Sequence, residues 1–171
     1  MIGTNADITE RRQAQEKLQL AAGVFTHALE GILITAPDAT IIEVNAAFTR
    51  ITGFSREEAI GQNPRILCSG RHDPNFYAAM WDALTQQGHW SGEIWNRRKG
   101  GEVFAELLTI SAVRNAAGTT QQYVALFSDI TASKDHQSRL GHIAHFDALT
   151  NLPNRVLLAD RLQQAMVHAQ R

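Results

Sequence analysis

Residues 89–131 read HWSGEIWNRRKGGEVFAELLTISAVRNAAGTTQQYVALFSDIT, and this stretch decides the fold. Two turn signals divide it, Lys99-Gly100-Gly101 and Asn115-Ala116-Ala117-Gly118. Glycine reaches the positive φ that tight hairpin turns demand, so each signal reads as a reversal of the chain. The three segments around them are rich in β-branched and aromatic residues. That predicts three consecutive antiparallel strands.

Working back from His89, Asp73-Pro74 opens a helix. Aspartate caps it, and proline sits in the first turn, where its missing N–H costs nothing. Phe76, Tyr77, Met80, Trp81 and Leu84 line its apolar side, and Gly88 ends it. Further upstream, GILITA (31–36) and IIEVN (41–45) read as two strands joined by the turn PDAT. Asn45 caps a short helix carrying Phe48 and Ile51. Ser55-Arg56-Glu57-Glu58 is a capping box that opens another, stopped by Gly61. Two strands, short helices, one longer helix and three strands make an α+β domain, with helices segregated against one five-stranded antiparallel sheet.

The flanks read as helices. One is expected over Thr9–Leu29, capped by Asp7, with Glu10 reaching back. Leu18, Ala22, Phe25 and Leu29 form its apolar stripe, and Glu10, Arg11, Arg12, Glu16 and Lys17 its polar face. Such a stripe packs either on its own domain or in a two-helix seam with a second copy. The seam reading predicts a parallel homodimer. Asp7-Ile8-Thr9 recurs as Asp129-Ile130-Thr131, with Leu18 and Leu140 in the same register. Residues 133–171 are again helical in pattern, broken at TNLPNR.

The totals set bounds. The chain has 171 residues, 44% of them hydrophobic, enough for one ordinary domain with linkers. Its net charge of −1 and lack of a basic patch argue against nucleic acid. There is no apolar run long enough for membrane insertion and no signal peptide. Cys68 is the single cysteine, so no disulfide forms within the chain, which fits a cytoplasmic protein.

The order of elements, with VNAAFTRITGFSREEAIGQNP (44–64), FYAAMWDALTQQGHWSGEIWNRRKGGE (76–102) and the closing Asp129-Ile130-Thr131, resembles a PAS domain over residues 22–131. The resemblance implies a sensory and dimerising module that holds a small molecule, or nothing, between its helices and its sheet. It also implies that Asp129 and Thr131 couple the last strand to an exit helix. FDALTNLPNR (146–155) is similar to the opening of GGDEF domains, the cyclases that make cyclic di-GMP. The GGDEF signature itself is absent, so this chain is expected to be no enzyme, although its parent is expected to be a diguanylate cyclase. The expected layout is a linker helix from a preceding module over 1–21, a PAS domain over 22–131, and an exit helix with a truncated GGDEF start over 132–171. The adjoining sensor and cyclase domains would be its partners.

Three cofactors come into question for such a domain. Flavin photoreceptors of the family carry a reactive cysteine in N-C-R-F-L-Q; here NPRILC (63–68) puts Pro64 at that position, and Cys68 lies four residues on. The photo-adduct is thereby disfavoured, and Cys68 reads as a small, partly buried residue. Tyr77 to Lys99 is similar to the FAD-binding PAS domains of nitrogen-fixation redox regulators. That likeness implies Trp81 and Asn96 as flavin contacts, while Leu33 and Pro64 replace a serine and a glutamate of those proteins. Asn96 offers both donor and acceptor to a pyrimidine edge. It shares a strand face with Trp90, Gly92 and Ile94, and Gly92 leaves room for a ring. The alternative makes Trp81 and Trp90 core aromatics and Asn96 a strand bridge, in a dimerisation scaffold with an empty core. Haem is disfavoured, because no histidine lies on the helix Asp73–Gln87. His72 and His89 flank that helix and read as surface residues. His142 and His145 are too few for zinc, so no metal site is expected.

Overall fold

The computed structural model describes residues 4–145, together with Leu152 and Asn154. The chain divides into two units between Asp129 and Ile130. The first begins with helix α1 (Thr4–His27), then β1 (Gly31–Thr35), β2 (Ile41–Val44), α2 (Ala46–Thr52) and α3 (Arg56–Ala59). A 3₁₀ turn (Pro64–Leu67), α4 (Pro74–Gln87), β3 (His89–Arg97), β4 (Val103–Arg114) and β5 (Thr120–Asp129) follow. The second unit holds α5 (Thr131–His145). The five strands form one antiparallel sheet in the order β2-β1-β5-β4-β3. The fold is therefore the expected α+β arrangement.

Local chemistry places the elements where the sequence says. Gly101 (φ 90°) and Gly118 (φ 80°) occupy the two hairpin turns in the left-handed region. Asp73 accepts the Phe76 N–H at 2.8 Å and starts α4, and Ser55 and Glu58 complete the capping box of α3. Asn45 does more than cap α2. Its Oδ1 accepts the N–H groups of Phe48 and Ile32, each at 2.9 Å, while its Nδ2 donates to the carbonyls of Phe25 and Glu30. All four bonds of the amide are used. One buried side chain thus ties the end of α1 to β1 and α2.

The core lies between the inner face of the sheet and α2–α4. Ile41, Val44, Phe48, Leu67, Ile94, Leu108 and Phe127 pack there. Phe48 meets Phe127 edge-on with centroids 6.0 Å apart. Gly31 lies directly under the Phe127 ring; a Cβ there would sit 2.2 Å from it.

Helix α1 departs from expectation at both ends. It begins at Thr4 and runs through Asp7, so Asp7 is not its cap. It stops at His27, which leaves Leu29 beyond the helix, 83% exposed, as a carbonyl acceptor for Arg50. The stripe of Leu18, Ala22, Phe25 and Leu29 is accordingly not one buried face. Leu18 is 72% exposed, Ala22 is exposed and Phe25 is half-buried. Among the described residues, no helix is long and apolar enough to cross a membrane.

Candidate functional site

β3 points Trp90, Gly92, Ile94 and Asn96 inward by simple alternation, and β4 answers with Phe104, Glu106, Leu108 and Ile110. This inner face holds two buried polar side chains side by side. Asn96 Nδ2 donates to Glu106 Oε1 at 2.9 Å. Glu106 is 2% exposed, and its Oε2 has no hydrogen-bond partner. Burial pushes its carboxyl up to about 8, partly offset by the Asn96 bond; Asp129 adds to the rise and Arg98 opposes it.

Asp129 and Arg98 stand close for a structural reason. Glu106 and Asp129 are direct cross-strand partners, so their side chains share a face. The Arg98 guanidinium lies 4.3 Å over the Phe104 ring, one same-face position from Glu106. From there Nη2 reaches Asp129 Oδ2 at 2.5 Å and Nε reaches Glu102 at 3.2 Å; Nη1 donates to the Ile51 carbonyl. Arg98 thus holds the final residue of β5 against the inner face.

A second cluster borders the pair. Cys68 bridges to Asn96 through the backbone, and its Sγ lies 3.5 Å from the Tyr77 hydroxyl. The hydrogen bond from Tyr77 lowers the thiol from its usual value, helped by the Gly70 backbone and nearby arginines. Burial first, then Cys68 and Glu106, push Tyr77 up to about 12. Cys68 is exposed rather than partly buried. His72 is not a loose surface group either. Its Nε2 accepts the Trp95 N–H at 2.9 Å, and its ring stacks on Phe76 at 4.1 Å.

The expected flavin contacts are not brought together. Trp81 is 38% exposed and packs edge-on against Tyr123 at 5.4 Å. Tyr123 lies opposite Ala112 and Asn96 opposite Phe104, eight positions away along β4, or roughly 26 Å of strand. Trp90 meets Phe76 at 5.8 Å, and its indole covers Gly92, where a Cβ would lie 2.8 Å from it. The room expected at Gly92 is therefore filled by the chain's own ring. Leu33 is in the core, and Pro64 opens the 3₁₀ turn behind the cap Asn63. The side chains of His142 and His145 lie outside the described residues. Among the described residues, no group of three or more metal-ligating side chains occurs.

Glu106 was missed by sequence reasoning. Its signal was legible: in VFAELLTI it falls in phase with Phe104 and Leu108, so an inward alternation carries a carboxylate into the core.

A family model described as "PAS domain" matches residues 29–132. The chain belongs to the PAS family. It is 33% identical over 138 residues to a nitrogen fixation regulatory protein of Klebsiella oxytoca, covering 80% of this chain and 28% of that one. It is 37% identical over 114 residues to a blue-light-activated histidine kinase of Brucella ovis, covering 65% of this chain and 23% of that one. The chain thus spans about a quarter of the length of these relatives. Among solved structures, an RNA-binding Light-Oxygen-Voltage receptor superposes with a TM-score of 0.65 at 28% identity, covering 74% of this chain and 36% of that one. This PAS domain is a sensory, signal-transducing module.

Proposed function

We propose that this PAS domain is the signal-input module of a longer cyclic di-GMP signalling protein, and that Asp129 and Thr131 pass its state to α5. One observation carries the reading. Asp129, two residues before α5 begins, is clamped by Arg98 and faces buried Glu106. A change at the inner face reaches the exit in this reading because Glu106 opposes Asp129 across the sheet and Arg98 holds Asp129. Coupling of this kind needs two states stabilised differently.

The cyclase as effector is supported by FDALTNLPNR, which lies almost wholly outside the described residues. A homodimer is supported by apolar surface beside α1. Leu20, Ala21 and Val24 form an open groove with Ile32, Ile34, Val124 and Leu126 on the outer face of the sheet. Leu20 is 70% and Val24 64% exposed and both join this groove, whereas Leu29 lies beyond the helix, so we assign the seam to this face. The test uses the full-length parent. Asp129→Ala should blunt signal-dependent cyclic di-GMP synthesis from GTP; unchanged regulation would reduce α5 to a tether.

A second reading, FAD binding, is favoured by the Asn96–Glu106 pair. An amide beside an orphaned carboxyl oxygen presents the mixed donor and acceptor pattern that a flavin pyrimidine edge accepts. The blue-light and Light-Oxygen-Voltage relatives lend it weight. The ring would have to displace Trp90 from Gly92. Flavin absorbance in the purified protein, released on denaturation, tests it directly; a colourless protein that takes up no added FAD rejects it.

A further inference from the structure

We propose that Glu106 is a proton-operated latch on the start of α5: uncharged, it leaves Arg98 to Asp129, and charged, it draws Arg98 inward and slackens the end of β5. This rests on the reading of α5 as the signal exit.

The geometry is specific. Two carboxyl groups, Glu106 and Asp129, oppose each other across β4 and β5. One guanidinium, Arg98, pairs with Asp129 and lies over Phe104, one same-face position along β4 from Glu106. Its remaining bonds, from Nε to Glu102 and from Nη1 to the Ile51 carbonyl, hold the guanidinium itself and leave Oε2 of the buried Glu106 without a partner. Around Glu106 the other groups are Asn96 on β3, which gives one hydrogen bond, and Tyr77 on α4, which stays protonated with its hydroxyl against Cys68. Lys99, in the turn after β3, is exposed and paired with Glu58. Among the described residues, Arg98 is the cation whose charge favours the ionised form of Glu106.

The chemistry is a simple exchange. Glu106 releases its proton to solvent, and the buried carboxylate then competes with Asp129 for one cation. Like charges in direct cross-strand opposition repel. Arg98 can relieve only one of them fully. The weaker, half-exposed partner is Asp129, which sits two residues before α5 begins. Burial already holds the Glu106 proton into the neutral range, so the exchange falls where modest changes in pH, or a ligand donating to Oε2, would drive it.

The experiment is an NMR titration of the whole 171-residue chain with labelled glutamate side chains and arginine Nε–H groups. The Glu106 Cδ and the Arg98 Nε–H should move together with one midpoint near 8. Amide exchange in residues 131–134, corrected for its intrinsic pH dependence, should quicken at least about threefold above that midpoint. In Glu106→Gln the Arg98 and α5 changes should vanish. Should that variant not fold, Asp129→Asn decides: removing the opposing charge must lower the Glu106 midpoint. A Glu106 that titrates like an exposed glutamate overturns the proposal. So does a titration that leaves Arg98 still, an α5 response that survives in Glu106→Gln, or a midpoint unmoved in Asp129→Asn. These results concern this chain alone; failure of the signal-input reading shows separately, in the parent's cyclase assay.

Discussion

Replacing Glu106 by Gln should stabilise this PAS domain, and by more as pH rises toward 8. The carboxyl is 2% exposed, and burial pushes it up to about 8 in the folded state, against an ordinary value of 4.5 in the unfolded chain. A raised carboxyl means that the native state holds a proton which the unfolded state has lost. Stability is then complete below about 4.5, declines as pH rises, and levels off once the folded group itself ionises near 8. The shift corresponds to about 5 kcal/mol across that window and about 3 kcal/mol at pH 7. Glutamine keeps the carbonyl that accepts from Asn96 and places a neutral group where Oε2 lies unpartnered. The polar cost of that position is therefore common to both proteins, and the proton term is what differs. Urea unfolding of wild type and Glu106→Gln at intervals between pH 5 and 8.5 measures it. Wild type should lose stability with pH relative to the variant. Parallel curves would refute the account, because they would show that Glu106 ionises alike in both states.

Asn45→Ala removes an amide that makes four buried or half-buried hydrogen bonds. It should cost about 2–4 kcal/mol in chemical unfolding and free the end of α1 to exchange amide hydrogens early. Gly31→Ala sets a methyl 2.2 Å from the Phe127 ring; it should cost about 1–3 kcal/mol, and pairing it with Phe127→Leu should recover part of the loss. Leu20→Glu with Val24→Glu places charges in the groove beside Ile32 and Leu126. Light scattering should then report a smaller mass than for wild type, whereas Leu29→Glu, outside the helix, should leave the mass unchanged.

The order of strands and helices was legible because its markers are local. Gly101 and Gly118 reverse the chain by their own backbone freedom, Asp73 and Ser55 cap by reaching three residues ahead, and the alternation of β3 needs no partner to be read. Residue chemistry within one turn or one hairpin carries those decisions. The inward position of Asn96 was legible in the same way. The meaning of the inner face was not. Whether Gly92 makes a void depends on where the Trp90 ring falls, and the ring falls on Gly92 itself. Whether Trp81 and Asn96 share a site depends on the register of β3, β4 and β5, which holds them apart. Glu106 announces itself in sequence as a carboxylate in an apolar row. Its opposition to Asp129 and their common hold on Arg98 arise only when β4 pairs with β5 and the turn after β3 folds its arginine back over Phe104. Short-range rules determine elements; pairing across the sheet brings side chains distant in the chain into one low-dielectric space, and there alone do their charges interact strongly enough to matter.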